Sequence, residues 1–143
     1  MTPDALFQLA NPLVLVGWGA LLLSPLAPVW ADRVASLLIP LLLSVAYAAL
    51  VLSFWSGAPG GFGSLPEVMA LFTTPGVALA GWLHYLAFDL FVGAWITRTA
   101  RAEGIAHAFV IPCLALTFLF GPAGFLAFHI LRATRALTEK VPA

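Results

Sequence analysis

Charge is what this chain has least of. Of its 143 residues only 8% are Asp, Glu, Lys or Arg, where soluble domains carry about 25%. That shortage excludes an ordinary soluble domain. Six basic and six acidic residues cancel, which leaves no basic patch for nucleic acid and no acidic tail. Cysteine is nearly absent. The lone Cys113 excludes an internal disulfide and a cysteine-rich metal site, and is expected to pack as a small hydrophobe. No P-loop, Gly-x-Ser-x-Gly elbow or zincin helix occurs, so nucleotide chemistry and serine hydrolysis have no support. The start, Met1-Thr2-Pro3-Asp4, lacks the basic stretch of a cleavable signal, and no Arg- and Ser-rich transit segment is present. The first apolar segment is therefore expected to stay in the mature protein. A single lysine, Lys140, among abundant Ala, Leu, Pro and Arg suits a bacterial source and hence a bacterial inner membrane.

What is present is apolar sequence in long runs. Hydrophobic residues make up 62% of the chain, and the mean hydropathy is +1.05. Four stretches, at about 5–24, 35–55, 75–97 and 105–131, each reach the ~20 residues needed to cross a ~30 Å hydrocarbon core. The runs are continuous rather than alternating, which argues against a barrel. The expected fold is all-α: one multi-pass domain over 1–143, an integral membrane four-helix bundle with a short interfacial helix between the second and third spans. Pro40 lies near the start of the second stretch. Pro112 and Gly121-Pro122-Ala123-Gly124 interrupt the fourth.

The 56–74 connection opens with the glycine-rich Gly57–Gly63, then Ser64-Leu65-Pro66-Glu67 reads as a capping box with proline in the first turn. The short helix expected through Phe72 would be either a lid over a lipid-accessible pocket or a packed connector. Four spans would put Arg33, Arg98 and Arg101 on one side and Arg132, Arg135 and Lys140 on the other. The positive-inside count is then even. Both termini are placed in the cytoplasm on the tolerance of the long connection, and the 132–143 tail is expected to fray after Ala136.

Asp89 stands in the middle of the third stretch. A carboxylate at membrane depth costs about 2.5–3.5 kcal/mol on insertion scales, so it must face protein, find a partner or hold a proton. At helical spacing Gly81, Tyr85, Asp89 and Gly93 share one stripe, with Trp82 near it. The two glycines would admit a neighbouring helix or a second copy of the chain. Tyr85 is one turn from Asp89. His84 is about 140° around the helix from it. A purely structural Asp89 would bond to Gln8, Asn11, Ser44, Tyr47 or His129. A functional one would mark a site.

His129 lies late in the fourth stretch, and His107 begins it beside Glu103. No His-x-x-x-His or His-x-x-Glu spacing is present. On a continuous helix His107 and His129 would stand roughly 33 Å apart, too far to share an ion unless the Gly-Pro break folds the chain back. No metal and no cofactor is expected. The five tryptophans suit interface anchoring, and the phenylalanines, Phe88 and Phe128 among them, would either pack or line a groove for a long apolar ligand.

The run Gly81-Trp82-Leu83-His84-Tyr85-Leu86-Ala87-Phe88-Asp89-Leu90-Phe91-Val92-Gly93-Ala94-Trp95 and the later Pro112-x-Leu-x-Leu-Thr-Phe-x-Phe-Gly-Pro-x-Gly124 resemble the abscisic-acid-deficient, neoxanthin-synthase family of plant four-helix membrane proteins and their bacterial relatives. The resemblance spans about 6–132. It implies a role in carotenoid metabolism, since plant members are associated with converting the epoxy-carotenoid violaxanthin to the allenic neoxanthin. Bacterial members need not share that substrate, and without a plastid transit region no chloroplast role is expected. Epoxide-to-allene isomerisation needs an acid at the epoxide oxygen and a base for a vinylic proton. The acid would be Asp89 positioned by Tyr85, and the base His84 or His129, with Trp82, Phe88 and Phe128 against the substrate. The partner would be a carotenoid or other polyisoprenoid among membrane lipids. The alternatives are a non-enzymatic carotenoid or lipid binder or helper subunit, a metal-dependent carotenoid enzyme, and a small transporter.

Overall fold

A computed structural model describes residues 2–138. No strand occurs among them. Six helices follow in order: α1 Pro3–Leu22, α2 Pro28–Gly57, α3 Leu65–Leu71, α4 Pro75–Ala102, α5 His107–Phe120 and α6 Pro122–Thr138. Helices α1, α2 and α4 are long and apolar enough to cross a membrane.

Local capping sets the starts of α1 and α3, while α2 begins at Pro28, ahead of the expected 35. Thr2 caps α1 by accepting from the Ala5 N–H, with Pro3 at the first helical position. Ser64 caps α3 by accepting from the Glu67 N–H, and the Glu67 carboxylate reaches back to the Gly63 N–H. The capping box is thus present, with its return bond made one residue earlier than the usual pattern. Prolines inside helices are absorbed. Pro40 has no N–H to donate, and just before it residues Val34–Leu38 widen into a π turn in which the Ile39 N–H bonds the Val34 carbonyl.

Helix α4 is the centre of the molecule. Half of its most apolar stretch is buried, against 28% for α1 and 17% for α2. Its core side chains include Leu83, Leu90 and Ile96, which meet Val14 and Leu21 of α1 and Ala35 and Ile39 of α2 in one cluster. Glycines set the closest approaches. A side chain at Gly17 would collide with Leu90 and Ile39, and one at Gly93 with Trp18 and Leu21.

The fourth apolar stretch departs from its expected form. It is not one spanning helix over 105–131 but a hairpin of α5 and α6 that reverses at Gly121. Gly121 has φ +46°, which an L side chain rarely adopts, and Pro122 has no N–H to continue α5. The return leg lies directly on the outgoing one. A Cβ at Gly124 would overlap Thr117 and stand 2.5 Å from the Cys113 carbonyl. At 14 residues, α5 is about 21 Å long and falls short of a ~30 Å core. The hairpin starts and ends beside the C-terminal end of α4. His107 bonds the Leu22 carbonyl, Arg132 pairs with Glu103, and Arg135 donates to the Gly104 carbonyl. Its first turn follows a Schellman ending of α4, in which the Ile105 N–H bonds Ala100 and the Gly104 N–H bonds Arg101, with Gly104 at φ +64°.

One further expectation changes with it. Pro3 and Thr138 lie at opposite ends of the helices rather than at the same end, because the hairpin returns to the end it left. Helix α6 continues past Ala136 to Thr138. Lys140 lies outside the described residues.

Candidate functional site

The hairpin tip meets Asp89. The residue sits near the middle of α4 and is 9% exposed. A Cβ at Gly121 would stand 2.7 Å from its Oδ1 and 3.1 Å from its Oδ2. The carboxylate therefore lies against the residue where α5 ends and α6 begins. Its Oδ2 is buried without a hydrogen-bond partner. A buried polar atom left unsatisfied costs about 1–3 kcal/mol, so this oxygen calls for an explanation.

Tyr85 completes the junction. Its hydroxyl donates to the Phe118 carbonyl at 3.1 Å, and it lies within side-chain bonding reach of Asp89. The bond to Phe118 matters because broken backbone in apolar surroundings survives only where its polar groups find partners. The Thr117 carbonyl accepts from the Gly121 N–H, and the Gly121 carbonyl accepts from the Gly124 N–H. Thr117 itself is fully enclosed and bonds back to Cys113.

Aromatic rings extend from this junction along the groove between α1 and α4. Trp82 stacks on Tyr85 with centroids 5.2 Å apart and tilts against Phe7 at 6.0 Å. The Trp82 indole N–H donates to Asn11 Oδ1 at 3.0 Å. Asn11, one of the partners considered for Asp89, is thus committed to Trp82 and, through its amide, to the Phe7 carbonyl. On the other side Trp18 meets Phe118 edge-on at 5.5 Å. Between α1 and α5 lies an open, mostly apolar groove of about 420 Å³, lined by Leu15, Trp18, Leu22, Ile111, Leu114 and Phe118 among others.

The other sequence candidates sit elsewhere. His84 is exposed on the outer side of α4, stacked on Phe88 at 4.6 Å and 6.0 Å from the Tyr47 ring. Phe88 is 56% exposed on the same side. His129 stacks on Trp95 at 5.5 Å and bonds the Phe125 carbonyl through Nδ1. Phe128 is fully enclosed against Trp95. Ser44 bonds back to Pro40. The break does fold the chain back, but His107 turns to α1 and His129 to α4. Among the described residues no three of His, Cys, Asp and Glu come together. Cys113 is a free, buried thiol.

Gly121, Trp18 and the Phe118 carbonyl were not among the candidates. The Gly121-Pro122 pair was the available signal, since glycine followed by proline marks a turn. Its apolar surroundings made it read as an interruption within a span. The stripe of Gly81, Tyr85, Asp89 and Gly93 is filled from within the chain: Phe72 lies on Gly81, Phe118 on Tyr85, Gly121 on Asp89 and Trp18 on Gly93.

Outside the apolar segments, electrostatics gather at the C-terminal end of α4. Arg132 forks onto both Glu103 oxygens, with the Nε bond at 2.8 Å, and Arg98 pairs with Asp32 at 2.8 Å. The hydrogen bond from Arg132 holds the Glu103 carboxyl below the usual glutamate range.

No curated protein and no solved structure matches the chain. A family model, described as ABA DEFICIENT 4-like, matches residues 5–128. That covers most of the chain, including nearly all of α1, then α2, α4, the Asp89 junction and the hairpin turn. The chain belongs to the ABA DEFICIENT 4-like family and is a carotenoid-related membrane protein.

Proposed function

We propose that this is a multi-pass protein of the bacterial inner membrane that takes a carotenoid or similar polyisoprenoid and rearranges it by proton transfer at Asp89, with α3 lying at the membrane interface. The observation that carries the reading is the unpartnered, enclosed Asp89 carboxylate oxygen at the hairpin tip. Spanning is supported by Trp30 and Trp55 near the two ends of α2, about 37 Å apart along a helix, as interface anchors would be.

An epoxide-to-allene rearrangement is net neutral. The acid form of Asp89 gives its proton to the epoxide oxygen as a carbon–oxygen bond opens. The resulting carboxylate then takes the vinylic proton, the allene forms, and the acid is restored. One carboxyl group can serve both steps, which suits a site with neither His84 nor His129 beside it. Tyr85 orients the group, and Trp82 with Phe7 offers flat faces for an end ring. No cofactor enters this scheme.

The second reading, a carotenoid binder or helper subunit, draws support from the apolar groove between α1 and α5. One experiment separates the two. The protein and Asp89→Asn are expressed with carotenoid-forming genes, supplied with an epoxy-carotenoid, and compared at equal membrane content. The expected result is a loss of conversion of about a hundredfold or more in the variant, with pigment still retained. Equal conversion by both proteins overturns the Asp89 mechanism. Retained pigment with no conversion by either selects the binder.

A further inference from the structure

The hairpin changes the charge map of the whole protein. Arg33 follows Asp32, which pairs with Arg98. Arg101 borders the same small cleft as Asp32 and Ser24. Because α6 returns instead of crossing, Arg132 meets Glu103 and Arg135 meets Gly104 at this end as well. All five arginines of the described residues therefore stand at one end of the helices. At the other end, where α1 begins, α2 ends and α3 lies, the charged side chains are Asp4 and Glu67. The even split expected from four spans gives way, among the described residues, to segregation of the arginines at one end.

We infer that the chain crosses the membrane three times and adds a re-entrant hairpin. Its N-terminus and α3 face away from the cytoplasm, and its arginine-bearing end, C-terminal helix included, faces the anionic lipid headgroups of the cytoplasmic leaflet. The inference rests on α1, α2 and α4 spanning, and not on the carotenoid reading. Arginine close to the ends of spans is retained on the cytoplasmic side, and basic residues near an anionic leaflet are attracted to it. The tip is admissible at mid-depth for the reason already seen. Gly121 is buried in protein, the Phe118 carbonyl is bonded by Tyr85, and the Thr117 and Gly121 carbonyls are bonded within the turn. The Asp89 carboxylate would then lie about halfway through the bilayer, at the inner end of a hairpin that enters from the cytoplasm.

The test uses the full chain carrying Cys113→Ala, with one cysteine added at a time: Gly57→Cys, Ala102→Cys or Ala136→Cys. Gly57 has open space around it, and all three positions are exposed. A membrane-impermeant maleimide is applied to intact and to permeabilised bacterial cells. The expected outcome is labelling of Gly57→Cys in intact cells, and of Ala102→Cys and Ala136→Cys only after permeabilisation. Labelling of Ala136→Cys together with Gly57→Cys in intact cells would mean that the fourth stretch crosses, and the hairpin would be wrong. Labelling of Ala102→Cys and Ala136→Cys alone would reverse the orientation. C-terminal fusions to the unchanged chain give an answer free of cysteine substitutions. Green fluorescent protein should glow there and alkaline phosphatase should be inactive, and the opposite pattern overturns the proposal.

Discussion

Helix α2 and the α5–α6 hairpin both carry proline in the middle of apolar sequence, and only one of them breaks. In α2 the helix runs for 30 residues through Pro40. The π turn passes the Ile39 N–H back to Val34, and the Ser44 hydroxyl gives the Pro40 carbonyl an added partner. At Gly121-Pro122 the chain turns back. The difference is not the missing N–H, which both share. It is that Gly121 can adopt φ +46°, and that α4 supplies Tyr85 for a carbonyl the turn exposes. Pro12 and Pro112 likewise lie inside α1 and α5 without ending them. A helix in apolar surroundings ends where a turn is sterically open and its orphan groups are received by a neighbour.

The largest effect that would break this comparison is expected at Gly124. In Gly124→Ala the new methyl would overlap Thr117 and crowd the Cys113 carbonyl, and much of that wall is backbone that cannot swing aside. Parting α5 from α6 should cost about 3 kcal/mol, at the upper end of overpacking penalties. It should also draw the tip from Asp89. The midpoint of thermal unfolding in detergent measures it, and an unchanged midpoint would mean that the legs do not pack as described.

A smaller, pH-dependent effect is expected at the base of the hairpin. Glu103 has its carboxyl held low by Arg132, so the unfolded chain takes up its proton more readily than the folded one. The stability this pair adds is therefore present above the ordinary glutamate range and is lost as pH falls through the lower folded value. Unfolding midpoints of the wild type should drop toward acid relative to Glu103→Gln, and the two should converge there. Parallel curves would show that the pair adds nothing.

The smallest effect is expected in α2. Pro40→Ala restores an N–H to a helix that has already adapted, so stability should stay within about 1 kcal/mol of wild type, measured in the same unfolding assay. A loss as large as that of Gly124→Ala would make the π turn a required feature, and the contrast between the two regions would fall.

Much of this was legible in the chain itself. Scarce charge and long apolar runs announced a helical membrane protein, because a backbone in lipid must bond within itself. Ser64 with Pro66 and Glu67 marked where the short third helix begins, since capping is local chemistry. The Gly81–Trp95 run carried the family likeness that the match over residues 5–128 supports. Asp89 stood out for its cost, and the angular reading that set His84 on another face agrees with its exposed position. The site's completion was not legible. Nothing local to Asp89 says that Gly121, more than thirty residues on, will lie against it, or that Phe118 will offer Tyr85 a carbonyl.

What the sequence by itself determined is the material of the molecule: apolar helices, their caps and one costly carboxylate. These follow from composition and from neighbours a few residues apart. Only the tertiary structure decided that the fourth stretch folds back, that five arginines share one end, and that Asp89 meets a helix break. Whether a Gly-Pro pair bends a helix or reverses it depends on which distant groups receive the freed carbonyls. That is a property of packing between helices, and no short window of sequence contains it.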